Sequence, residues 1–533
     1  MRLFGILLLA AITARAQSDI SGERIRAHVK FLASDLLEGR GVGTRGGDLA
    51  TEYIASQFAI AGAKPAGERG TYFQTVPMVG VETEPSATLS ADAAGKSVSF
   101  RWLDEFVGVT EEQKSEQFDA EAIFVGHGIV APEFQWDDFK GVDMKGKVLV
   151  LFTNEPPSDD PKFFGGKALT YYGRWTYKYE EAARMGAKAV LIIHTTPTAG
   201  YGYDVVRSSW GKEDPQLKLE PGHPALAFAG WLSGDAGAKF LALAGKNVDE
   251  MLKAANSRDF KPIPLGIHIR ANIPTKIRQI QSRNVIAMVP GSDPDLRSQT
   301  VIFTAHWDHL GIGLPVEGDS IYNGAVDNAT GCGILLEMAR AWAALEHKPR
   351  RSALFMAVTA EEAGLRGTEF YASHPLVPLS KTALDLNFDA FYPFGRTKDV
   401  FVTGADRTSV WPVVQEAAHR MELTIKPEAH PEQGEFYRSD HFSLAHAGVP
   451  AFSINLGTEY YGKPADYGDK IFNEYNDKHY HQPSDEYHDD WDFAGMEEAA
   501  KFGFLIGTTV ANQDKLPTWR PGDEFLPARL AEK

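Results

Sequence analysis

"TVIFTAHWDHLG", residues 300–311, begins as an apolar strand and ends in His306, Asp308 and His309. Val301 and Phe303 suit a buried sheet, and such a strand ordinarily finishes in turn residues. Imidazoles and a carboxylate are expensive to desolvate unless something binds them. The stretch therefore predicts a buried strand with a ligand at its carboxyl end.

The same texture repeats around it. Candidate strands are "NVIAMVPG", "TVIFTAH", "ALFMAVTA", "ALDLNFD", "VFVTGA" and "PAFSINLG", with helical stretches at 328–346, 361–373, 408–421 and 495–512. Continuous apolar strands alternating with amphipathic helices predict an α/β domain whose mostly parallel sheet is covered on both faces. Ligands bind such sheets beyond the carboxyl ends of the strands. Upstream, "IRAHVKFLASDLLEG" and "GGDLATEYIASQFAIAG" space their apolar residues by three and four and end in glycine, which predicts two packed helices. Residues 112–272 differ. There "EAIFVGHGIV", "GKVLVLF" and "KAVLIIH" are short β-rich runs with one helical stretch, "WTYKYEEAARMGA", and they predict a small inserted α/β unit with its own core. The expected division is a leader over 1–16, the start of the main domain over 17–111, the insert over 112–272, and the rest of the main domain over 273–533.

At 533 residues the chain is too long for one core, and 43% hydrophobic with 11% aromatic residues describes packed domains. Its first residues, MRLFGILLLAAITARA, read as a cleavable signal peptide processed at Ala14-Arg15-Ala16, so a secreted or periplasmic product is expected. No later stretch reaches about 18 apolar residues, which excludes a membrane span. Cys332 is the single cysteine, so no internal disulfide is expected. The net charge of −17 becomes more acidic once Arg2 and Arg15 leave with the signal. Such a surface repels phosphate backbones, and nucleic acid is excluded as a partner.

Three candidate strands end in unusual polar groups: His306-Trp307-Asp308-His309, Glu361-Glu362 and Asp389. Between the first two, "GAVDNATGCG" sets Asp327 before a helix whose apolar face is Leu335, Met338, Ala339 and Trp342, where it could also act as an N-cap. Downstream, "HYHQPSDEYH" offers His479, His481 and His488. If the strands are parallel neighbours, His306, Glu361, Glu362 and Asp389 emerge at one edge, where uncompensated carboxylates would repel one another. A divalent cation resolves this. Imidazoles and carboxylates without thiolates suit zinc, with manganese or cobalt as chemical substitutes. Of the adjacent Glu361 and Glu362, one can ligate while the other serves as general base.

Taken in order, "FLASDLLEGRGVGTRGG", "TAHWDHLG", "GAVDNATG", "AVTAEEAGLRGT", "LNFDA", "YRSDHFSLAHAGVPAFSI" and "YHQPSDE" resemble the M28 metallopeptidases, over most of the chain outside 112–272. The insert resembles a protease-associated domain. The resemblance implies a zinc exopeptidase fold and two zinc ions per chain. Asp327 would bridge them, with His306 and Asp389 completing one site and Glu362 and His481 the other. It makes Glu361 the general base, Asp308 the acid that orients His306, and Tyr480 the oxyanion donor, and it sets a cis peptide at Asp327–Asn328. Trp307, where a smaller residue or tyrosine is commoner, is expected to narrow the pocket, and His309, His441 and His479 are expected around the site.

The function so implied is that of an exported exopeptidase acting on peptides, and the carboxylate-rich site favours an aminopeptidase. A carboxypeptidase or dipeptidase would need a cation for the terminal carboxylate, and Arg438 is the candidate. A glutaminyl cyclase-like acyltransferase would use a single zinc, against which His306 and Asp389 argue. A receptor-like binding protein on a dead peptidase fold would lack ligands, and all five positions are filled.

Overall fold

The apolar run 300–306 forms a strand in which every residue is buried, and the rest of its domain is arranged around it. The computed structural model describes residues 19–428 and 430–531; the expected signal peptide lies outside the described residues. The chain divides into two compact units, one from Met1–Val76, Gln281–Ala429 and Arg438–Lys533, the other from Pro77–Ile280 and His430–Tyr437.

The first unit opens with helices α1 (Gly22–Leu32) and α2 (Arg45–Ala61). Helix α2 starts where the Thr44 side chain accepts from the Gly47 N–H and stops at Gly62, whose φ of 81° is left-handed and suits glycine. The sheet contains β1 (Thr275–Val289, from Gln281 on in this unit), β2 (Thr300–His306), β3 (Ser352–Val358), β4 (Thr382–Asn387) and β5 (Ala451–Ser453). Strand β2 is central and parallel to both β3 and β4; β5 continues parallel to β4, while β1 runs antiparallel to β3. Alternate residues serve opposite faces. Val301, Phe303, Phe355 and Leu384 join Ile25, Val29, Ile54, Phe58, Met338 and Trp342 on one face. Ile302, Leu354 and Met356 join Tyr371 and Leu444 on the other. Two buried faces explain why these strands read as unbroken apolar runs.

The helix expected at 361–373 begins only at Arg366. Glu361–Leu365 form a turn instead, with Gly364 and Leu365 both at positive φ and their N–H groups bonded back to the Glu361 carbonyl. The adjacent glutamates therefore sit in a loop just past the end of β3.

The second unit holds an eight-stranded sheet in the order Lys96–Phe100, Thr88–Ala93, Ile263–Ile273, Glu116–Phe124, Val148–Leu151, Ala189–Ile193, Phe228–Leu232 and Phe106–Val109. It is wider than residues 112–272. Thr88–Ala93 pairs with Ile263–Ile273, and Phe106–Val109 pairs with Phe228–Leu232, so early strands are captured by late ones. Its core also lies on two faces, with Leu191 and Ile193 on one and Val190 and Ile192 on the other. Among the described residues no helix is long and apolar enough to cross a membrane.

Candidate metal centre

His306 ends β2 in register with Val358 of β3, so the loops after these parallel strands leave the sheet at one edge. Its Nδ1 lies 3.1 Å from the backbone carbonyl of Asp308, which directs Nε2 outward. That Nε2 stands 3.2 Å from an oxygen of Asp327, 3.2 Å from an oxygen of Asp389 and 3.9 Å from an oxygen of Glu361. The other oxygen of Asp327 is 3.5 Å from His481 Nε2, which is itself 2.9 Å from Glu362 Oε2. One carboxylate thus faces two imidazoles, one through each oxygen.

These separations permit a test for a cation. Two ligand atoms on one tetrahedral ion with bonds of about 2.0–2.1 Å stand about 3.3 Å apart. The pairs made by His306 with Asp327 and Asp389, and by His481 with Asp327 and Glu362, fall around that value. His306, Asp327 and Asp389 form one group of ligand atoms within 4.8 Å of one another. Glu361 lies farther from His306 than the other two carboxylates. Two further groups of ligand atoms meet the same limit, His306 with Glu361 and Glu362, and His309 with Asp327 and Glu362, so the donor set suits a divalent cation.

The loops are held by groups that local sequence does not expose. Arg40, 1% exposed, donates to the carbonyls of Leu32, Trp307, Asn323 and Gly324, tying the loop after His306 to the segment before Asp327. Asp485 accepts from the Val326 and Asp327 N–H groups and from the Tyr475 hydroxyl. The Asp327–Asn328 peptide is cis. Asn328 then donates to the Phe388 carbonyl, joining the Asp327 loop to the end of β4. Ser439 Oγ donates to the second oxygen of Asp389 across 2.5 Å.

The cluster's electrostatics show how strongly it calls for positive charge. Burial opposes protonation of His306, yet Asp389, Glu361 and Asp327 hold its pKa well above the ordinary range. Against the same opposition, Glu362 and Asp327 raise His481 to about 9. Burial would raise Asp327, but its hydrogen bonds to His306 and His481 keep it well below the usual carboxylate range. Glu361 behaves oppositely. Burial, aided by Asp389 and Glu362, pushes its carboxyl well above normal despite His306.

Several expected residues sit differently from their sequence reading. The Asp308 carboxylate is 3.9 Å from His306 Nδ1 and instead accepts from the Glu361 N–H; the backbone carbonyl of Asp308 contacts the imidazole. Trp307 does not narrow a pocket. Its indole is buried in the core, donates to the Arg283 carbonyl, and lies so close to Gly47 that a Cβ there would come within 3.0 Å. The imidazole of His479, exposed at its contact, pairs with the Ser484 hydroxyl at 2.9 Å. His441 is buried in the helix His441–His446. The Tyr480 ring lies against that of His481, tilted by 31° with centroids 4.0 Å apart, and its hydroxyl accepts from Arg438 at 3.3 Å. The sequence reading assigned no role to the side chains of Arg40, Asn328, Ser439 or Asp485, and named Asn328 only for its peptide bond. All four lie inside the quoted motifs, in "LEGR", "VDNA", "RSDH" and "QPSDE", which was the only signal available for their side chains.

Residues 284–501, the span holding all five proposed ligands, match the model of peptidase family M28. Over those residues the chain is similar to the peptidases of family M28. The chain is 29% identical over 106 residues to a vacuolar membrane protease from Schizophyllum commune (strain H4-8 / FGSC 9210), a match covering 20% of this chain and 10% of that protein. Its structure is similar to that of an aminopeptidase from Aneurinibacillus sp. strain AM-1, with a TM-score of 0.55, 20% identity, and coverage of 96% of this chain and 98% of that one. BSAP, a zinc aminopeptidase from Bacillus subtilis, gives a TM-score of 0.47 and 17% identity over 95% and 97% of the two chains. The likeness to the Aneurinibacillus protein is one of fold.

Proposed function

We propose that this protein is an exported aminopeptidase that holds two zinc ions and releases residues from the amino end of peptides. The observation carrying the proposal is the placement of Asp327, with one oxygen toward His306 and the other toward His481, while Glu361 stands 3.9 Å from His306. His306 and Asp389 would hold one ion, Glu362 and His481 the other, and Asp327 both. When bound, such a pair supplies Lewis acidity, polarising a carbonyl and lowering the pKa of water.

The chain's own groups supply the proton handling. Glu361 is buried among carboxylates that raise its proton affinity, so it can take a proton from the attacking water and return it to the leaving amine. Arg438 donates to Tyr480 Oη, which leaves the phenolic O–H free to donate to the developing oxyanion. Asp308 holds the Glu361 backbone N–H and so fixes where the base begins. Surplus carboxylate around the centre suits a substrate ammonium. Arg438 is engaged by Tyr480, which favours the amino-terminal reading over the carboxypeptidase one. We read the second unit as a protease-associated domain and residues 1–16 as the export signal.

The test is a panel of four peptides, free or blocked at each end, with zinc content measured on the same preparation. Acetylation should remove a charge-assisted contact of about 1.5–3 kcal/mol, lowering the rate by roughly ten- to a hundredfold, while amidation should matter little. Indifference to acetylation with sensitivity to amidation would reverse the assignment. Equal cleavage of the doubly blocked peptide would point to an endopeptidase.

A further inference from the structure

Strand β4 carries a carboxylate with no part in the scheme above. Asp385 lies two residues before Asn387 in Thr382–Asn387, is fully buried, and shares one face of the strand with Asn387. In register, Asn387 stands beside Thr304 of β2. Three oxygens surround the Thr304 hydroxyl: Oδ1 and Oδ2 of Asp385 at 3.0 and 3.3 Å, and Oδ1 of Asn387 at 2.9 Å. The Asn387 amide donates onward to Ser439 Oγ at 2.7 Å, and Ser439 donates to Asp389 Oδ2 at 2.5 Å. A line of hydrogen bonds therefore joins Asp385 to Asp389, whose other oxygen faces His306 at 3.2 Å.

The number of protons available along that line fixes its direction. The Ser439 hydroxyl has a single proton, and the Asp389 carboxylate takes it. Ser439 Oγ must then accept, which turns the Asn387 NH2 toward it and leaves the Asn387 carbonyl oxygen facing Thr304. Thr304 also has one proton, and its neighbours Asn387 and Asp385 both need it. Whichever receives it, the other pair of oxygens lacks a proton unless Asp385 brings one. The charge acting on Asp385 is that of Asp440, a second buried carboxylate; with burial, it holds the Asp385 pKa well above the usual carboxylate range.

We propose that Asp385 is held as the neutral acid and donates to Thr304, so that every proton in the line points toward Asp389 and Oδ1 of that ligand is left for the ion beside His306. Asp385 is a positioning residue, acting through Thr304, Asn387 and Ser439. The inference rests on the reading of Asp389 as a ligand given above. Groups that hydrogen-bond a ligating carboxylate orient it, and their loss weakens metal binding. Hydrogen bonds in a chain polarise one another, so part of that effect is carried back to Asp385.

The experiment combines two readouts on the full chain at neutral pH, with thermal unfolding of each variant as the control for folding. The infrared difference between wild type and Asp385→Asn should show a carboxylic-acid C=O band present only in wild type, with or without zinc. In a zinc titration against a competing chelator, Asp385→Asn should stay close to wild type, because the amide keeps a donor toward Thr304 and the same neutral charge. Asp385→Leu removes the donor and should weaken the ion held with His306 by about two- to tenfold. Absence of the band, or an asparagine variant as weak as the leucine one, would overturn the inference. If the leucine variant fails to fold, Thr304→Ser and Thr304→Val replace it: the serine should keep the affinity and the valine lose it, and equal affinities would overturn the inference. A wild type that binds no zinc would instead overturn the ligand reading, and the positioning role with it, while the infrared band still reports the Asp385 proton.

Discussion

Replacing Arg40 by methionine should loosen the first unit by about 4 kcal/mol. The guanidinium donates through Nε to Trp307 at 2.8 Å, through Nη1 to Leu32 at 2.7 Å and Asn323 at 2.6 Å, and through Nη2 to Gly324 at 2.8 Å. Every acceptor is a carbonyl, and burial pulls the group's pKa down without removing its charge. Methionine fills much of the volume but leaves these carbonyls without the donor. A buried orphaned acceptor costs about 1–3 kcal/mol, and four of them relaxing together cost less than the sum, so the total approaches the 3–5 kcal/mol of a broken buried charge interaction. At about 2–4 °C per kcal/mol, the unit's transition should fall by on the order of 10 °C. Hydrogen exchange of the amides in Thr300–His306 reads that unit separately from the other. The backbone supplies a control. Arg40 has φ +51°, so Arg40→Gly should be about 1 kcal/mol less damaging than Arg40→Ala, although both lose every donor. A methionine variant within 1 kcal/mol of wild type, or alanine better tolerated than glycine, would refute the reasoning.

Glu361→Gln should lower turnover by about 10²- to 10⁴-fold while zinc content stays the same, whereas Glu362→Gln should lose metal; equal loss from both, by elemental analysis, would sink the division between them. Ser439→Ala frees the second oxygen of Asp389 and should weaken the ion held with His306 by about tenfold in the same chelator titration, leaving the other in place. His127, buried between the Thr153 carbonyl and Asn256, has its pKa lowered to about 4 by burial. The unfolded chain takes up that proton near pH 6.5 and the folded unit only near 4, so stability should be complete above about 6.5 and fall by about 3 kcal/mol as pH drops through the window. Denaturant melts of wild type and His127→Gln at pH 7 and 5 check this, and an equal acid slope in both would contradict it.

What the sequence determined by itself was local. Thr300–His306 and Ser352–Val358 are mostly apolar on both alternations, and such runs have few ways to be buried other than inside a doubly covered sheet. His306, Asp327, Glu362, Asp389 and His481 were recoverable because each sits in a short motif whose order along the chain is distinctive. Tertiary structure decided what depends on partners remote in sequence. Strands 88–93 and 106–109 carry ordinary β patterns, and only their pairing with 263–273 and 228–232 assigns them to the second unit. The glutamate pair looked like a helix start, but backbone at Gly364 and Leu365 turns it into a loop. Which oxygen of Asp327 faces which imidazole depends on His481, 154 residues along the chain. Arg40 is the plainest case. Its partners lie between 8 and 284 residues away and are all backbone carbonyls, which every residue carries, so no side-chain pattern could have announced them.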